Sequence, residues 1–333
     1  MSFIRTILGD VPADTAADSL GCCGAHEHVI IDSPHIAAAH PAFLLNSVSA
    51  ACIDLAAFKA AGGGWLIDTM PTGAGRCAAK LAEASLRSGV AIVCPTGLHL
   101  RQYYPADAPE LELGREELAA LFVREITQGV RDEGTTADAP PVGRAGVIKV
   151  AGGRDRLTPH QVEAFAAAAE AARVTGCPVI THTEAGTAGE EQVRLLLEGG
   201  AAPQSITLSH TDRVPDVGYH RQLLSAGVNL EYDNHFRVYF KTGECPTATL
   251  VAELAEEFPE QICLGMDLAR RGYGLGYGGE PGLAWLLRDL PGLLAEAGVT
   301  PAQRDRLLKH NPARAFAFAR NKEEPCPQPA SSA

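Results

Sequence analysis

The chain has 333 residues, 46% of them hydrophobic and 20% charged, with a formal net charge of −12 and a pI near 5.4. That balance supports a sizeable folded core and argues against a nucleic-acid surface, which needs clustered Lys and Arg. No run of about 18 apolar residues occurs and the opening MSFIRTILGD lacks a signal peptide's apolar stretch, so the expectation is a cytoplasmic protein with no membrane partner.

Eight short apolar runs are expected to be strands: GAHEHVII (24–31), GWLIDTM (64–70), VAIVCPTG (90–97), AGVIKVA (145–151), CPVITHT (177–183), SITLSHT (205–211), VNLEYDN (228–234) and ICLGMD (262–267). Between them lie CAAKLAEASLRSG, REELAALFVREITQGVRD, QVEAFAAAAEAARVTG and EQVRLLLEGG, each long enough for a crossover helix. One carries a clear start signal, with Thr158 to cap, Pro159 in the first turn and Gln161 to complete a capping box. Eight strand–helix units predict an α/β fold of the (β/α)8 barrel type, one domain over residues 1–320, rather than an open doubly wound sheet. GYGLGYGGEPG (272–282) reads as a loop after the eighth strand, and NKEEPCPQPASSA (321–333) as a disordered tail. Neither GxGxxG after a strand nor GxxxxGK[ST] occurs, so nucleotide binding is unsupported. The nine cysteines are scattered without a CxxC pair and read as reduced thiols packed as small core residues.

The strand ends are unusually ionisable. His26 and His28 stand two apart, so a strand points both imidazoles to one face and Glu27 to the other, toward the wall, where it has no catalytic role. Lys149 lies among apolar residues in VIKVA, His182 ends the fifth strand, His210 the sixth and Asp267 the eighth. A barrel gathers the C-terminal ends of its strands at one mouth, making neighbours of residues far apart in sequence. Each residue alone has a bland explanation, but together they supply nitrogen and oxygen ligands for divalent cations. His99 and His235, after the third and seventh strands, are expected to line the mouth.

In this order HEH, the lysine of GVIKVAGG, THTEAGT, LSHTD and GMD resemble the phosphotriesterase-like branch of the amidohydrolase superfamily, over nearly the whole chain from ILGD to NPARAFAF (311–318). The resemblance implies that His26, His28 and Asp267 hold one metal, His182 and His210 a second, and a carboxylated Lys149 bridges them. It implies zinc, with manganese, cobalt or iron as alternatives, a homodimer, and hydrolysis by a shared hydroxide with Asp267 handling the proton. Ala25 before HEH and His99 depart from the family pattern and bear on substrate fit.

The loops after the seventh and eighth strands carry Arg237, Tyr239, Lys241, Arg270, Arg271 and Tyr273, which suit an anionic or polyhydroxylated small molecule. THTEAGT and the RRGY…YGG loop are similar to the family's sugar lactonases, so the leading expectation is a furanose-type 1,4-lactone, with or without a phosphate. The alternatives are an amidase for a small N-acyl amino acid, a phosphotriesterase, and last a non-catalytic metal-binding barrel.

Overall fold

The computed structural model describes residues 2–132, 135 and 139–319. The expected tail at 321–333 lies outside the described residues. Ahead of the barrel comes an element the apolar runs did not announce. It is an antiparallel hairpin of β1 (Phe3–Thr6) and β2 (Gly9–Pro12), followed by a helix at Ala13–Leu20.

The barrel itself has the expected eight parallel strands. The first is β3 (Cys22–Glu27), paired with β4 (Gly63–Asp68), which pairs in turn with β5 (Ala91–Val93). The third barrel strand is in two pieces, β5 and β6 (Pro95–Leu98), interrupted at Cys94–Pro95, where proline has no N–H to offer the ladder. From β6 the sheet runs through β7 (Val147–Gly152), β8 (Val179–Thr183), β9 (Ile206–Ser209), β10 (Asn229–Tyr232) and β11 (Ile262–Leu264), every pair parallel. Beyond the end of β11 the barrel closes on β3. The N–H of Asp267 donates to the His26 carbonyl at 2.9 Å, and the N–H of Met266 to Glu27 Oε1 at 2.8 Å.

Alternation along the strands separates two cores. Inward residues Cys23, Ala25, Trp65, Ile67, Val93, Val147, Ile180 and Cys263 pack together, joined by Ile4, Ala16 and Phe316 from the two ends of the chain. Outward residues such as Leu66, Ile148, Val150, Leu208 and Leu230 pack beneath the helices on Phe165, Leu196, Leu223 and Leu250. The helix Pro159–Thr175 starts with the expected reciprocal cap between Thr158 and Gln161 and stops at Gly176 in the left-handed region. Along β7 the next inward residue after Val147 is Lys149, and along β8 the next after Ile180 is His182. The apolar interior therefore gives way to polar groups toward the C-terminal ends. Among the described residues no helix is long and apolar enough to cross a membrane.

A buried ion pair ties the segment after β4 to the helix Arg115–Thr127. Arg76 donates to Glu125 through Nη2 at 2.7 Å and Nη1 at 2.8 Å, and Nη1 also reaches the Pro95 carbonyl. Burial pushes the Glu125 carboxyl up, but the Arg76 guanidinium outweighs it and holds the group below the usual glutamate value. Arg76→Met should strand that carboxylate and cost about 3–5 kcal/mol, lowering Tm by on the order of 10 °C in a thermal melt. Because the native carboxyl titrates below the unfolded one, the pair's contribution is full above about pH 4.3 and disappears as pH falls through the native value. The wild-type advantage over the variant should shrink in acid and stay constant from neutral to mildly alkaline pH.

Candidate metal centre

Four imidazoles, a lysine and an aspartate meet where the strands end. Several lie just beyond the ladders: His28 follows β3, His210 follows β9 and Asp267 follows β11. His210 and Asp267 both hold the backbone in the left-handed region, with φ of 63° and 46°. Side chains other than glycine adopt that conformation at a cost of order 1–3 kcal/mol, and it aims both residues inward. His28 is steadied from the neighbouring strand end, where Asp68 accepts from Val29 N at 2.8 Å and from Met70 N at 3.1 Å.

His26, His28 and Asp267 each place a donor atom within 4.8 Å of the others', and His26 forms a second such group with His210, Glu231 and Asp233. The His26 and His210 rings are 4.5 Å apart between centroids, as are the His182 and His210 rings. Lys149, fully buried, directs Nζ at His26 Nε2 (3.4 Å) and the Thr181 carbonyl (3.3 Å). Each outer nitrogen of the second pair is occupied. His210 Nδ1 meets Asp233 Oδ2 at 2.5 Å, and His182 Nε2 meets Glu184 Oε2 at 2.9 Å, leaving their other nitrogens facing inward.

The electrostatics suit a cation. Burial, reinforced by Lys149, holds the His26 imidazole neutral, and burial likewise lowers His182 despite the opposing bond to Glu184. His210 is brought down to about 3 by burial, against the pull of Asp233. Burial takes the Lys149 amine to about 7, although Asp267, Glu231 and Asp233 work in the other direction. Asp267 is the converse case: burial raises it, but Arg237 and His28 hold it ionised. Neutral imidazoles and an ionised carboxylate are donor types that divalent metals take. His26 Nδ1 and His28 Nδ1 are buried without a hydrogen-bond partner among the described residues, an expense that bare polar nitrogens incur unless something fixes the rings. The cluster of His26, His28, Asp267 and His210 fits a metal centre, with His182 and Lys149 lying beside it.

Above them opens a cavity of about 350 Å³. Of the residues expected to meet substrate, His99, Arg237, Arg270 and Tyr273 line it. Arg237 does so already engaged, donating to Asp267 Oδ2 at 2.9 Å and to the Asp233 carbonyl at 2.8 Å, so its first task is to hold Asp267. Three expectations for the mouth are corrected. His235 is fully buried, donates from Nε2 to the Gly265 carbonyl at 2.7 Å and stacks on Trp285. Lys241 is exposed at the end of the helix His235–Thr242 and does not line the cavity. Arg271 is turned away to the Leu44 carbonyl (2.6 Å) and Asn46 Oδ1 (3.2 Å), where it pins the loop. The cavity also recruits residues the strand-end pattern passed over: Tyr103, Gln102, Glu184, Arg213 and Phe43. Glu184 and Arg213 lie within two and three residues of expected ligands. Tyr103 had no signal, since it reaches the mouth on a 3₁₀ turn after β6.

Asp233→Ala should loosen the cation held near His210 by about 10–100-fold, read by chelator competition. Unchanged retention in a folded variant would show that Asp233 does not orient that ring.

The chain matches the model of the phosphotriesterase family over residues 4–316. A phospho-furanose lactonase of Mycoplasmopsis synoviae is 29% identical over 330 residues, covering 95% of this chain and 92% of that protein. Among solved structures, a lactonase from Listeria monocytogenes superposes with a TM-score of 0.85 at 27% identity, covering 96% of this chain and all of that one (100%). The phosphotriesterase homology protein from Escherichia coli, complexed with phosphate in its active site, gives 0.80 at 26% identity, covering 90% and 99%.

Proposed function

The chain belongs to the phosphotriesterase family of metal-dependent hydrolases, and from that premise we propose that it opens a furanose-type 1,4-lactone, with or without a phosphate. The observation that carries this reading is the cavity: ligand-type residues form its floor, while Arg213, Arg270, Tyr103 and Tyr273 form a polar wall. A volume of about 350 Å³ suits a phosphorylated sugar lactone. Arg270 makes no ion pair among the described residues and rests its guanidinium over the Phe43 ring at 4.9 Å, so it is free to take an anion at the mouth. The names of the two lactonases point the same way.

His26, His28 and Asp267 would hold one cation, His182 and His210 the other, with Lys149, carboxylated on its amine, between them; zinc is the metal we assign. When bound, such a pair supplies Lewis acidity and lowers the pKa of water to near neutrality. The rest falls to the chain. The cavity wall orients the lactone with its carbonyl toward the floor. Water oxygen adds to the carbonyl carbon, the ring C–O bond breaks, and the proton passes through Asp267 to the departing ring oxygen, giving the hydroxy acid. Arg213 (3.4 Å) and Arg237 (2.9 Å) both approach Asp267 Oδ2, which leaves the face near His28 for proton traffic. The eight described cysteines are all unpaired, in keeping with a cytoplasmic setting.

Protein purified without chelators should carry two metal equivalents and hydrolyse 1,4-lactones. A folded, metal-loaded protein inert on every lactone but active on N-acyl amino acids would replace the lactonase reading with the amidase one. Asp267→Asn should reduce kcat by about 10²–10⁴-fold; full turnover in that variant would remove Asp267 from the proton path. Arg270→Ala should raise KM for a phosphorylated lactone about tenfold or more while changing kcat less, with little effect on the unphosphorylated analogue. Lys149→Ala should lose metal and regain part of its activity with a short carboxylic acid. Full activity without added acid would rule out the carbamate.

A further inference from the structure

Glu231 belongs to the second donor group around His26 but is given no role in the reaction above. It lies on β10, fully buried, and neither carboxyl oxygen has a hydrogen-bond partner among the described residues. An unpartnered carboxyl inside a barrel is expensive, and a native structure keeps such a group for a reason. The nearest complementary group is also unsatisfied: His26 Nδ1 lies 3.5 Å from Glu231 Oε2 and is itself buried without a partner. A small rotation of the His26 ring, as its Nε2 is drawn toward a cation, would satisfy Nδ1 and one oxygen of the Glu231 carboxyl with one bond.

Two further observations favour that pairing. Continuing the alternation of β10 one residue past its end puts Asp233 on the same inward face as Glu231, and Asp233 already holds His210 Nδ1. Space for the Glu231 carboxyl exists because residue 265 is glycine. A Cβ there would stand 2.6 Å from Oε1 and 2.7 Å from the His26 backbone nitrogen. His26 Nε2, on the other side of the ring, faces Lys149 Nζ and the centre.

We propose that Glu231 is the positioning residue for His26. It accepts a hydrogen bond from Nδ1–H, which fixes the tautomer and presents Nε2 with its lone pair to the centre. One strand then governs both halves of the site, Glu231 through His26 and Asp233 through His210. This inference rests on the metal-centre reading of the strand-end residues.

The test is chelator competition on the cobalt- or zinc-loaded full chain, with the visible spectrum of the cobalt form as a second readout. Glu231→Ala should release one equivalent about 10–100-fold more readily than wild type and shift the cobalt absorption, while the other equivalent is held as before. Glu231→Gln, whose amide oxygen can accept the same proton, should stay within a few-fold of wild type. If Glu231→Ala does not fold, Glu231→Met, of similar volume and without an acceptor, replaces it. A folded Ala or Met variant that holds both cations as wild type does overturns the inference and leaves the metal centre standing. Equal loss in the Gln and Ala variants also overturns it, since the hydrogen bond would not be what matters. Wild-type protein that retains no cation overturns the centre and this inference together.

Discussion

Between β11 and β3 the barrel closes across a short strip of backbone, and both edges of that strip carry candidate ligands. The N–H of Asp267 bonds to the carbonyl of His26, so the bond that closes the sheet also ties together the backbones of two candidate ligands. The carboxylate of Glu27 secures the same seam by accepting from Met266 N. Gly265 lets the two strands approach, since a side chain there would collide with the His26 backbone. Closure of the barrel and assembly of the site are therefore one event, and a change that loosens the seam should be felt in both.

Around that seam the molecule sets a large amount of ionisable chemistry in a place with little water. Burial alone would leave His26, His182, His210 and Lys149 neutral and Asp267 protonated. Only Asp267 escapes, because the Arg237 guanidinium and the bond to His28 outweigh burial. The outcome is a set of lone pairs beside ionised carboxylates, Asp267 facing the common space with Asp233 and Glu184 behind the imidazoles, which is a poor arrangement for stability without a cation and a good one for binding it. The unfavourable backbone angles at His210 and Asp267 belong to the same pattern, in which a stable shell carries strain at the mouth.

Much of this was legible in the chain. HEH stands in the first apolar run, the isolated Lys149 inside the fourth, and His182, His210 and Asp267 at the ends of theirs, and eight such runs separated by helical segments leave few folds other than a barrel. The hairpin β1–β2 was not legible, because FIRT and GDVP are too short and too mixed in polarity to stand out as strands. Glu231 and Asp233 offered a signal of the same kind as His26 and His28, two like residues two apart on one strand. It went unread because VNLEYDN looks like an ordinary half-polar strand until its inward face is known.

The loops divide differently. Arg237, Arg270, Arg271, Lys241 and His235 are all polar residues shortly after a strand, and composition treats them alike. Their fates diverge because each is decided by a partner distant in sequence: Asp267 for Arg237, Leu44 and Asn46 for Arg271, Trp285 and Gly265 for His235, while Arg270 rests over the Phe43 ring and Lys241 stays exposed. By itself the sequence determined the strand–helix alternation and which residues end the strands, since periodicity and side-chain chemistry are local properties. Which of those residues face a common space, and which cations are already paired, only the tertiary structure decided, because barrel closure brings together groups up to 241 positions apart, as for His26 and Asp267.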